Sequence, residues 1–166
     1  MGDMDKGGIR LEVTTDMEYL DSVARKPEIY EMISGDHSSE RERFSVGDLV
    51  AGHQAIFLRV WLKGLAAGFF AFVWLPGDCL EVHTLLSDNC RGKKAVEVGR
   101  KAIKWVFAHT SARALMGDCP DWNPAVAVFA RRCGLRRFLR DGNYAFKNGR
   151  WQGAWLVKIN REEVCH

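Results

Sequence analysis

The sequence predicts an α/β protein in which a mixed, mostly antiparallel central sheet is flanked by helices on both faces. Three observations support this prediction. Residues 55–86 contain three runs rich in aromatic and β-branched residues, separated by turn-like breaks. From residue 91, apolar residues recur at helical spacing. Helix-like and strand-like segments then alternate, an order that a sheet covered on both faces accommodates.

The N-terminal part of the chain predicts one strand and one or two helices. Residues 8–13, "GIRLEV", alternate between apolar and polar like a strand. Thr14 or Thr15, followed by Glu18, resembles a helix start with a capping partner. We therefore expect helical structure from this point to about Ile33.

The middle of the chain predicts an antiparallel meander. Residues 34–52 are polar and show no period, and long loops of this kind are often functional or mobile. Turn signals at Lys63-Gly64 and Pro76-Gly77-Asp78 then separate the strand-like runs. The three runs are "AIFLRVWL", "AAGFFAFVWL" and "CLEVHTLL".

The period changes to that of an amphipathic helix after Arg91. Apolar and charged residues fall on opposite sides of this predicted helix. The apolar side holds Ala95, Val98, Ala102, Ile103 and Val106, and the other side holds Lys94, Glu97, Lys101 and Lys104. "RALMGDC", residues 113–119, predicts the strand that follows.

"NPAVAVFARRCG", residues 123–134, has the start and stop signals of a further helix. Asn123 suits the N-cap, Pro124 the first helical position and Gly134 the stop. Residues 125–130 are all apolar, which predicts that this helix is largely buried. "LRRFLRD" and "AWLVKI" predict two last strands, joined through the turn-rich segment "DGNYAFKNGRWQGA".

The composition is that of one globular domain. The chain has 166 residues, 47% of them apolar and 27% charged, with a formal net charge of +3. This length allows one core, and so mild a charge does not require a nucleic-acid partner. We expect a flexible N-terminus over residues 1–8 and a single domain over residues 9–162. A signal-peptide pattern is missing, and the most apolar run, residues 65–75, is too short for a membrane helix.

The cysteines argue against disulfides and against a zinc site. Five cysteines, at positions 79, 90, 119, 133 and 165, form an odd number without a C-x-x-C pair. This pattern favours free thiols in a reducing compartment. We therefore expect a cytoplasmic protein without a bound metal.

"SDNCRGKKAV", residues 87–96, places a basic loop before a helix. A helix N-terminus offers unpaired N–H groups and a partial positive charge to a phosphate. Arg91, Lys93 and Lys94 would strengthen that field, although basic residues at such a position are more often only solvated. Three cations there oppose the helix dipole, which favours an anionic ligand over none.

This loop and the order of elements resemble the GNAT (Gcn5-related) N-acetyltransferases, which use acetyl-coenzyme A (acetyl-CoA). Their diphosphate loop usually reads [Q/R]-x-x-G-x-[G/A]. The sequence matches it at Arg91 and Gly92, but Lys94 and Val96 replace two small residues and leave Ala95 as the small one nearby.

Two further segments extend the resemblance to roughly residues 8–162. "DWNPAVAVFARRCGLRRF" matches a family stretch at Asn123 and Gly134, with Leu135 in place of Phe. The tail is similar to the ribosomal-protein and N-terminal-amine acetyltransferase branch, with Gly153 in place of Asp. The resemblance implies the acyl-CoA N-acyltransferase fold, and similar short variants occur in bacteriophage genomes.

The resemblance also implies a binding site for acetyl-CoA. Leu85 and Leu86 would offer backbone groups to the pantetheine and the acetyl carbonyl. Asn123 would face the pantetheine arm, or would serve as a plain N-cap. The diphosphate would be held by the backbone around six residues, namely Cys90, Arg91, Gly92, Lys93, Lys94 and Ala95.

Glu81 and His83 are the candidate bases for the incoming amine. They alternate on one face of "CLEVHTLL", the strand where several family members carry a catalytic carboxylate. Histidine has a suitable unperturbed pKa for proton transfer near neutrality. The alternative is a solvated Glu81 and a hydrogen-bonded structural His83.

Tyr144 is the candidate acid for the departing thiolate. Many family members place a Tyr seven residues after the Asn, a position that Ala130 occupies here. Tyr144 lies in the later hairpin and is either an acid at the cleft or an ordinary surface tyrosine. A covalent route through Cys90 or Cys119 lacks a visible base partner.

The predicted function is transfer of an acetyl group to an amine on a protein, a peptide or a small molecule, by direct attack on the thioester. The alternative is a catalytically weak protein of the same fold that binds and modulates a partner such as a host protein. Nucleic-acid and membrane partners are not favoured, and a homodimer remains open. A basic cluster is more simply explained by solvation than by a 3′-phosphate, acidic-protein or nucleic-acid partner; its members are Arg131, Arg132, Arg136, Arg137 and Arg140.

Overall fold

Seven strands form one sheet in the computed structural model, which describes residues 8–164. The strands are β1 (Ile9–Val13), β2 (Ala55–Leu62), β3 (Leu65–Leu75), β4 (Cys79–Leu86), β5 (Ala114–Pro120), β6 (Arg136–Lys147) and β7 (Arg150–Asn160). Their order is β1-β2-β3-β4-β5-β7-β6, and every pair is antiparallel except β4 with β5. The predicted mixed, mostly antiparallel sheet is confirmed. The expected flexible N-terminus lies, apart from Gly8, outside the described residues.

Five α-helices cover both faces of this sheet, as predicted. They are α1 (Met17–Ala24), α2 (Pro27–Ile33), α3 (Val46–Val50), α4 (Gly92–His109) and α5 (Pro124–Arg132). Single 3₁₀ turns lie at Arg41–Arg43 and Arg161–Glu163. The polar stretch over residues 34–52 therefore contains one such turn and α3, which its lack of a period did not predict.

Two hydrophobic cores lie on opposite faces of the sheet. Phe70 and Phe72 of β3 point into the core under α4 and α5. Phe69 and Ala71 point into the core under α1, α2 and α3. Because successive strand residues face opposite sides, β3 is apolar along its length and is buried on both faces. Each large apolar side chain buried in this way stabilises the fold by about 1.5–3 kcal/mol.

Helix α4 has the predicted apolar face, and the start of α1 differs by one or two residues from the prediction. Ala95, Val98, Ala102, Ile103 and Val106 are all buried. At α1, Asp16 rather than Thr14 or Thr15 is the N-cap, and its carboxylate accepts the backbone N–H of Tyr19 at 3.1 Å. Thr14 instead accepts the N–H of Asp16 through its hydroxyl.

The predicted burial of α5 was wrong. Within this helix only Ala130 is buried, and Ala125 and Val128 are exposed. The helix contacts the sheet along one side only, so a run of apolar residues necessarily leaves some of them in water.

The last two strands are longer than predicted. β6 and β7 continue through the segment expected to be turn-rich, and only Asn148 and Gly149 form the turn. Both residues have positive φ, +55° and +73°. Asn and Gly tolerate this conformation, so a tight hairpin closes here.

The tip of this hairpin is tied to the end of α2. The Asp36 carboxylate accepts the N–H groups of Gly149 and Asn148 at 2.8 and 2.9 Å, and these bonds lower the pKa of Asp36. Lys147, only 4% exposed, donates to the carbonyl oxygens of Glu31 and Ser34 at 2.7 and 2.8 Å. These contacts join two segments more than 100 residues apart in the chain.

Gly68 permits the close approach of β3 to the end of β4. Its φ is +106°, and a Cβ atom at this position would lie 2.1 Å from the carbonyl oxygen of Leu85. The Tyr19 hydroxyl accepts the N–H of Gly68 and donates to its carbonyl oxygen, at 3.1 and 3.2 Å. A side chain here would therefore force β4 to shift.

We expect Gly68→Ala to lower the free energy of unfolding by more than about 3 kcal/mol, because strain and a backbone clash add. Gly64→Ala is the matched control, since Gly64 also has positive φ but nothing within 4 Å of its Cβ position. That control should lose about 1–2 kcal/mol. Urea unfolding of both variants measures the difference, and equal losses would show that the contact with Leu85 is unimportant.

Candidate functional site

The two central strands β4 and β5 separate early and open a cleft in the sheet. They pair only at Cys79–Glu81 and Ala114–Met116. Beyond these residues β4 remains paired with β3, and β5 remains paired with β7. The backbone edges that β4 and β5 turn toward each other therefore lack strand partners. A cavity of about 410 Å³ lies between them.

The walls of the cleft are mostly apolar and come from both faces of the sheet. Helices α4 and α5 supply one wall, and α2 and α3 supply another. The first wall includes Gly99, Ala102, Ile103, Phe129, Ala130 and Cys133, and the second includes Ile29, Ile33 and Leu49. The cleft thus passes through the plane of the sheet, from one core to the other.

Glu81 and His83 form a hydrogen-bonded pair at this cleft. His83 Nε2 lies 2.9 Å from Glu81 Oε1, and the bond lowers the pKa of Glu81. The imidazole lines the cavity. Donation from Nε2 leaves the lone pair of a neutral ring on Nδ1, which makes that atom the one able to accept a proton. The carboxylate therefore positions the imidazole.

Asp118 lies at the same cleft and was not among the residues singled out from the sequence. It accepts a hydrogen bond from the Tyr144 hydroxyl at 2.9 Å, and both residues line the cavity. Burial raises the pKa of Asp118, and its neighbour Glu81 raises it further. The one sequence signal that could have identified Asp118 is that it is an acidic residue within the otherwise mostly apolar strand "RALMGDC", where alternate residues face the same side.

Tyr144 lies in the cleft, which excludes the interpretation as an ordinary surface tyrosine. Burial, followed by the charge of Asp118, raises its pKa above the ordinary range. Its proton is engaged by Asp118 and is held more tightly than in a free tyrosine. The structure therefore places Tyr144 in the cleft as a hydrogen-bond donor to Asp118, and its role as the acid for a thiolate stays a prediction.

The basic loop places free backbone donors at one end of the cleft. Arg91 is the N-cap of α4, and Gly92 has φ of +59° with nothing within 4 Å of its Cβ position. By contrast, the N–H of Cys90 donates to Ser87 and that of Ala95 to Arg91, at 2.9 and 3.4 Å. Of the six predicted residues, Cys90 and Ala95 therefore have N–H groups that are already engaged, and the assignment of a diphosphate to the loop stays a prediction.

The charged side chains of this loop already have anionic neighbours. Arg91 pairs with Asp88 at 3.2 Å, and Lys94 pairs with Glu97 at 2.7 Å. These exposed pairs are worth little and exchange readily, so both cations can still turn toward an anion. The side chain of Lys93 is exposed in the same turn.

Leu85, Leu86 and Asn123 lie where the sequence placed them. Both leucines line the cleft at the end of β4, and their side chains belong to opposite cores. Asn123 occupies the N-cap position of α5, but its side chain makes no capping bond and lines the cavity. It is therefore available to a ligand, and the alternative of a capping side chain does not hold.

The three buried cysteines are poorly suited to act as nucleophiles. Burial raises the pKa of the Cys90, Cys119 and Cys133 thiols to about 11, so they are neutral at physiological pH. All four cysteines of the described residues are free, and Cys165 lies outside that range. Within residues 8–164 no cluster of side chains has the composition of a metal site.

The arginine cluster near β6 is largely engaged within the chain. Arg140 makes two bonds to the carboxylate of Asp121, at 2.7 and 2.6 Å. Arg136 pairs with Glu163, and the Arg137 guanidinium lies 4.9 Å from the ring centre of Trp155. These contacts agree with the simpler explanation, in which the arginines are solvated surface residues with partners in the same chain.

The fold of this chain is similar to that of several solved structures. In contrast, no protein-family model and no curated protein sequence matches the chain. A spermidine N-acetyltransferase from Vibrio cholerae, solved with CoA and spermine, matches with a TM-score of 0.76 at 14% identity, over 95% of this chain and 98% of that one. A ribosomal-protein-S5-alanine acetyltransferase from Vibrio fischeri matches with a TM-score of 0.73 at 14% identity, over the full length of both chains. A "probable" GNAT-family acetyltransferase from Chromobacterium violaceum matches with a TM-score of 0.71 at 17% identity, over 93% and 84%.

The chain has the GNAT acetyltransferase fold. At such low identity the likeness establishes the fold and the order of its elements. The predicted resemblance is confirmed at that level. In this GNAT fold the separated strands are β4 and β5, and the basic loop joins β4 to α4. None of the helices over residues 8–164 has the length and apolar character needed to cross a bilayer.

We expect Asp118→Asn to gain stability relative to the unchanged protein as pH rises. The pKa of Asp118 in the folded protein is raised above its ordinary value of 3.8. The contribution of Asp118 to stability is therefore full below pH 3.8 and is lost as the pH rises through the pKa of the folded state. The amide cannot ionise and keeps an oxygen for Tyr144. Melting temperatures from pH 4 to pH 8 measure this, at about 2–4 °C per kcal/mol.

Asp78→Asn is the control, since Asp78 lies in the β3–β4 turn outside the cleft and Asn tolerates its φ of +58°. Its melting curve should follow that of the unchanged protein at every pH. A constant offset between Asp118→Asn and the unchanged protein over this range would contradict the assignment of a raised pKa.

Proposed function

We propose that this protein is an acetyl-CoA-dependent N-acetyltransferase that transfers an acetyl group to a primary amine. One observation carries the proposal: a single cleft joins the free N–H groups at the start of α4 to the proton-accepting pair Glu81–His83. An anion site at one end and a base at the other is the arrangement that acyl transfer from a CoA thioester to an amine needs. The GNAT fold supports it.

The residues present fit CoA. The N–H groups of residues 91–94 and the open space at Gly92 would accept the diphosphate, as at other helix N-termini. The apolar walls between β4 and β5 and the uncommitted Asn123 side chain would hold the pantetheine. Bound there, acetyl-CoA supplies an activated acetyl group. The spermidine N-acetyltransferase structure with CoA supports this cofactor.

The side chains of the chain would prepare the amine for attack. A primary amine is an ammonium ion at neutral pH and must lose a proton before its nitrogen becomes nucleophilic. His83 Nδ1 would take that proton, and Glu81 would stabilise the imidazolium through the bond at Nε2. The unpaired backbone edge of β4 near Leu85 and Leu86 would offer N–H groups to the acetyl oxygen.

Ala130 favours the alternative function that the sequence left open. It is buried in the cleft wall, and a methyl group there cannot protonate a thiolate. A protein that binds acetyl-CoA but turns over no amine would then act through a partner protein. Assays with alkylamines and with N-terminal peptides separate the two functions, because only the enzyme releases free CoA thiol in proportion to acetylated amine.

We expect Gly92→Asp to weaken acetyl-CoA binding by about tenfold or more, since a carboxylate would repel the diphosphate and lose the left-handed backbone. Titration calorimetry of the purified protein with acetyl-CoA and with CoA measures the Kd.

Gly64→Asp is the matched control, because Gly64 has φ of +80°, open space around it and a place in the β2–β3 turn. It should leave the Kd unchanged. Equal affinities in all three proteins would overturn the assignment of the loop.

We expect His83→Ala to lower kcat by about 100-fold or more while the Kd for acetyl-CoA changes little, as for loss of a general base. Glu81→Gln should give a smaller loss of kcat, because it disturbs the imidazole without removing it. His109→Ala, an exposed histidine at the end of α4, serves as the control. Unchanged kcat in both cleft variants would remove the pair as the base.

A further inference from the structure

We propose that Asp118 binds the ammonium group of the acceptor, and that the acceptor is a primary amine attached to an apolar body. This inference rests on the proposed N-acetyltransferase function and names the acceptor class for the same cleft. Neither Asp118 nor this class of acceptor followed from the sequence.

Asp118 is the only acidic side chain among the described residues that line the cleft. Its one side-chain hydrogen bond comes from the neutral Tyr144 hydroxyl, which reaches Oδ2. An ionised carboxylate can accept about four hydrogen bonds, so most of its capacity is unused. A partly buried carboxylate that accepts only one hydrogen bond from a neutral donor is strongly stabilised in its ionised form by a cationic partner.

The position of Asp118 suits an amine that must reach His83. In β4, Leu85 faces the core under α1–α3, so His83 and Glu81, two and four residues before it, face the same side. In β5, Cys119 faces the opposite core, so Asp118 faces the side of His83. The last paired residues of these parallel strands are Glu81 and Met116, so His83 and Asp118 each lie two residues beyond the same pair.

The surroundings favour one ammonium group and an apolar remainder. Ile29, Ile33 and Leu49 form the cleft wall on this face. Among the described residues that line the cleft, no carboxylate other than Asp118 is present, and the nearby Glu31 pairs with Lys147 at 3.2 Å while Asp36 holds the hairpin tip. A polyamine held by Asp118 would bring a second cation into a cleft whose described lining offers it no second carboxylate.

The reaction at this site balances without a further reactant. The acceptor R–NH₃⁺ is held by Asp118 and loses one proton to His83 Nδ1. The nitrogen lone pair forms a bond to the acetyl carbon, the carbon–sulfur bond breaks, and its electron pair leaves on sulfur. The second nitrogen proton neutralises the thiolate, and the imidazolium releases its proton to water. Amide, thiol and one proton are the products.

Tyr144 would act as a positioning residue for Asp118. Its hydroxyl orients the carboxylate by donating to Oδ2, and its half-buried ring, 6.0 Å from that of Trp122, shields this side of the cleft. Loss of the hydroxyl alone would leave the negative charge in place. Tyr144→Phe and Asp118→Asn therefore separate orientation from charge.

The test compares hexylamine with hexan-1-ol, two probes of similar shape of which only the amine is charged at pH 7. Calorimetry on the protein saturated with CoA, which lacks the acetyl group, measures binding without turnover. The unchanged protein should bind hexylamine at least about tenfold more tightly than hexan-1-ol, as expected for a charge meeting a buried carboxylate. In Asp118→Asn this preference should fall close to one, with the affinity for hexan-1-ol retained.

Two further variants, Asp78→Asn and Tyr144→Phe, serve for comparison with Asp118→Asn. Asp78→Asn, which removes a negative charge outside the cleft, should retain the preference for the amine. Tyr144→Phe, which keeps the carboxylate but removes its orienting hydroxyl, should reduce the preference less than Asp118→Asn does. A preference that survives in Asp118→Asn overturns the role of Asp118. Spermidine binding more tightly than hexylamine, or no binding of hexylamine, overturns the apolar acceptor class. Failure of CoA itself to bind overturns the proposed function, whereas normal CoA binding without amine preference overturns this inference alone.

Discussion

The site depends on one constraint, which is that β4 and β5 stop pairing after three residues. Each strand is held on its outer side for its full length, β4 by β3 and β5 by β7. The inner edges therefore diverge without either strand losing its place in the sheet. A gap in a sheet normally leaves unpaired N–H and C=O groups that cost free energy when buried. Here the gap is wide enough to become a binding cleft, in which a ligand can satisfy those groups.

The contact between β3 and β4 fixes the geometry of this opening. Gly68 lets the backbone of β3 approach Leu85 more closely than any other residue could, and the Tyr19 hydroxyl holds that glycine from both sides. The end of β4, four to five residues beyond its last pairing with β5, is thereby anchored to β3 and to α1. The cleft is consequently formed by backbone pairing and close backbone contact, and the polar side chains project into it from these strands.

Most of the fold was predictable, because its elements have local signals. The meander of β2, β3 and β4, the apolar face of α4 and the mixed sheet all follow from periodicity and turn residues. The predictions for the burial of α5 and for the lengths of β6 and β7 were wrong, because both properties depend on which side of an element contacts the rest of the protein. Asp118 was missed for a similar reason. A single acidic residue in a strand becomes significant only when pairing shows that it shares a face with His83.

Contacts between distant segments explain why the acceptor side carries no readable motif. The wall of the cleft on that side comes from α2 and α3, and its position is set by Lys147 and Asp36, which bind the β6–β7 hairpin to the end of α2. Lys147 is buried with three oxygen partners, so removing its charge would release the hairpin and α2 together. Under the proposed function, acceptor selection would therefore depend on this tertiary contact as well as on the side chains that touch the amine.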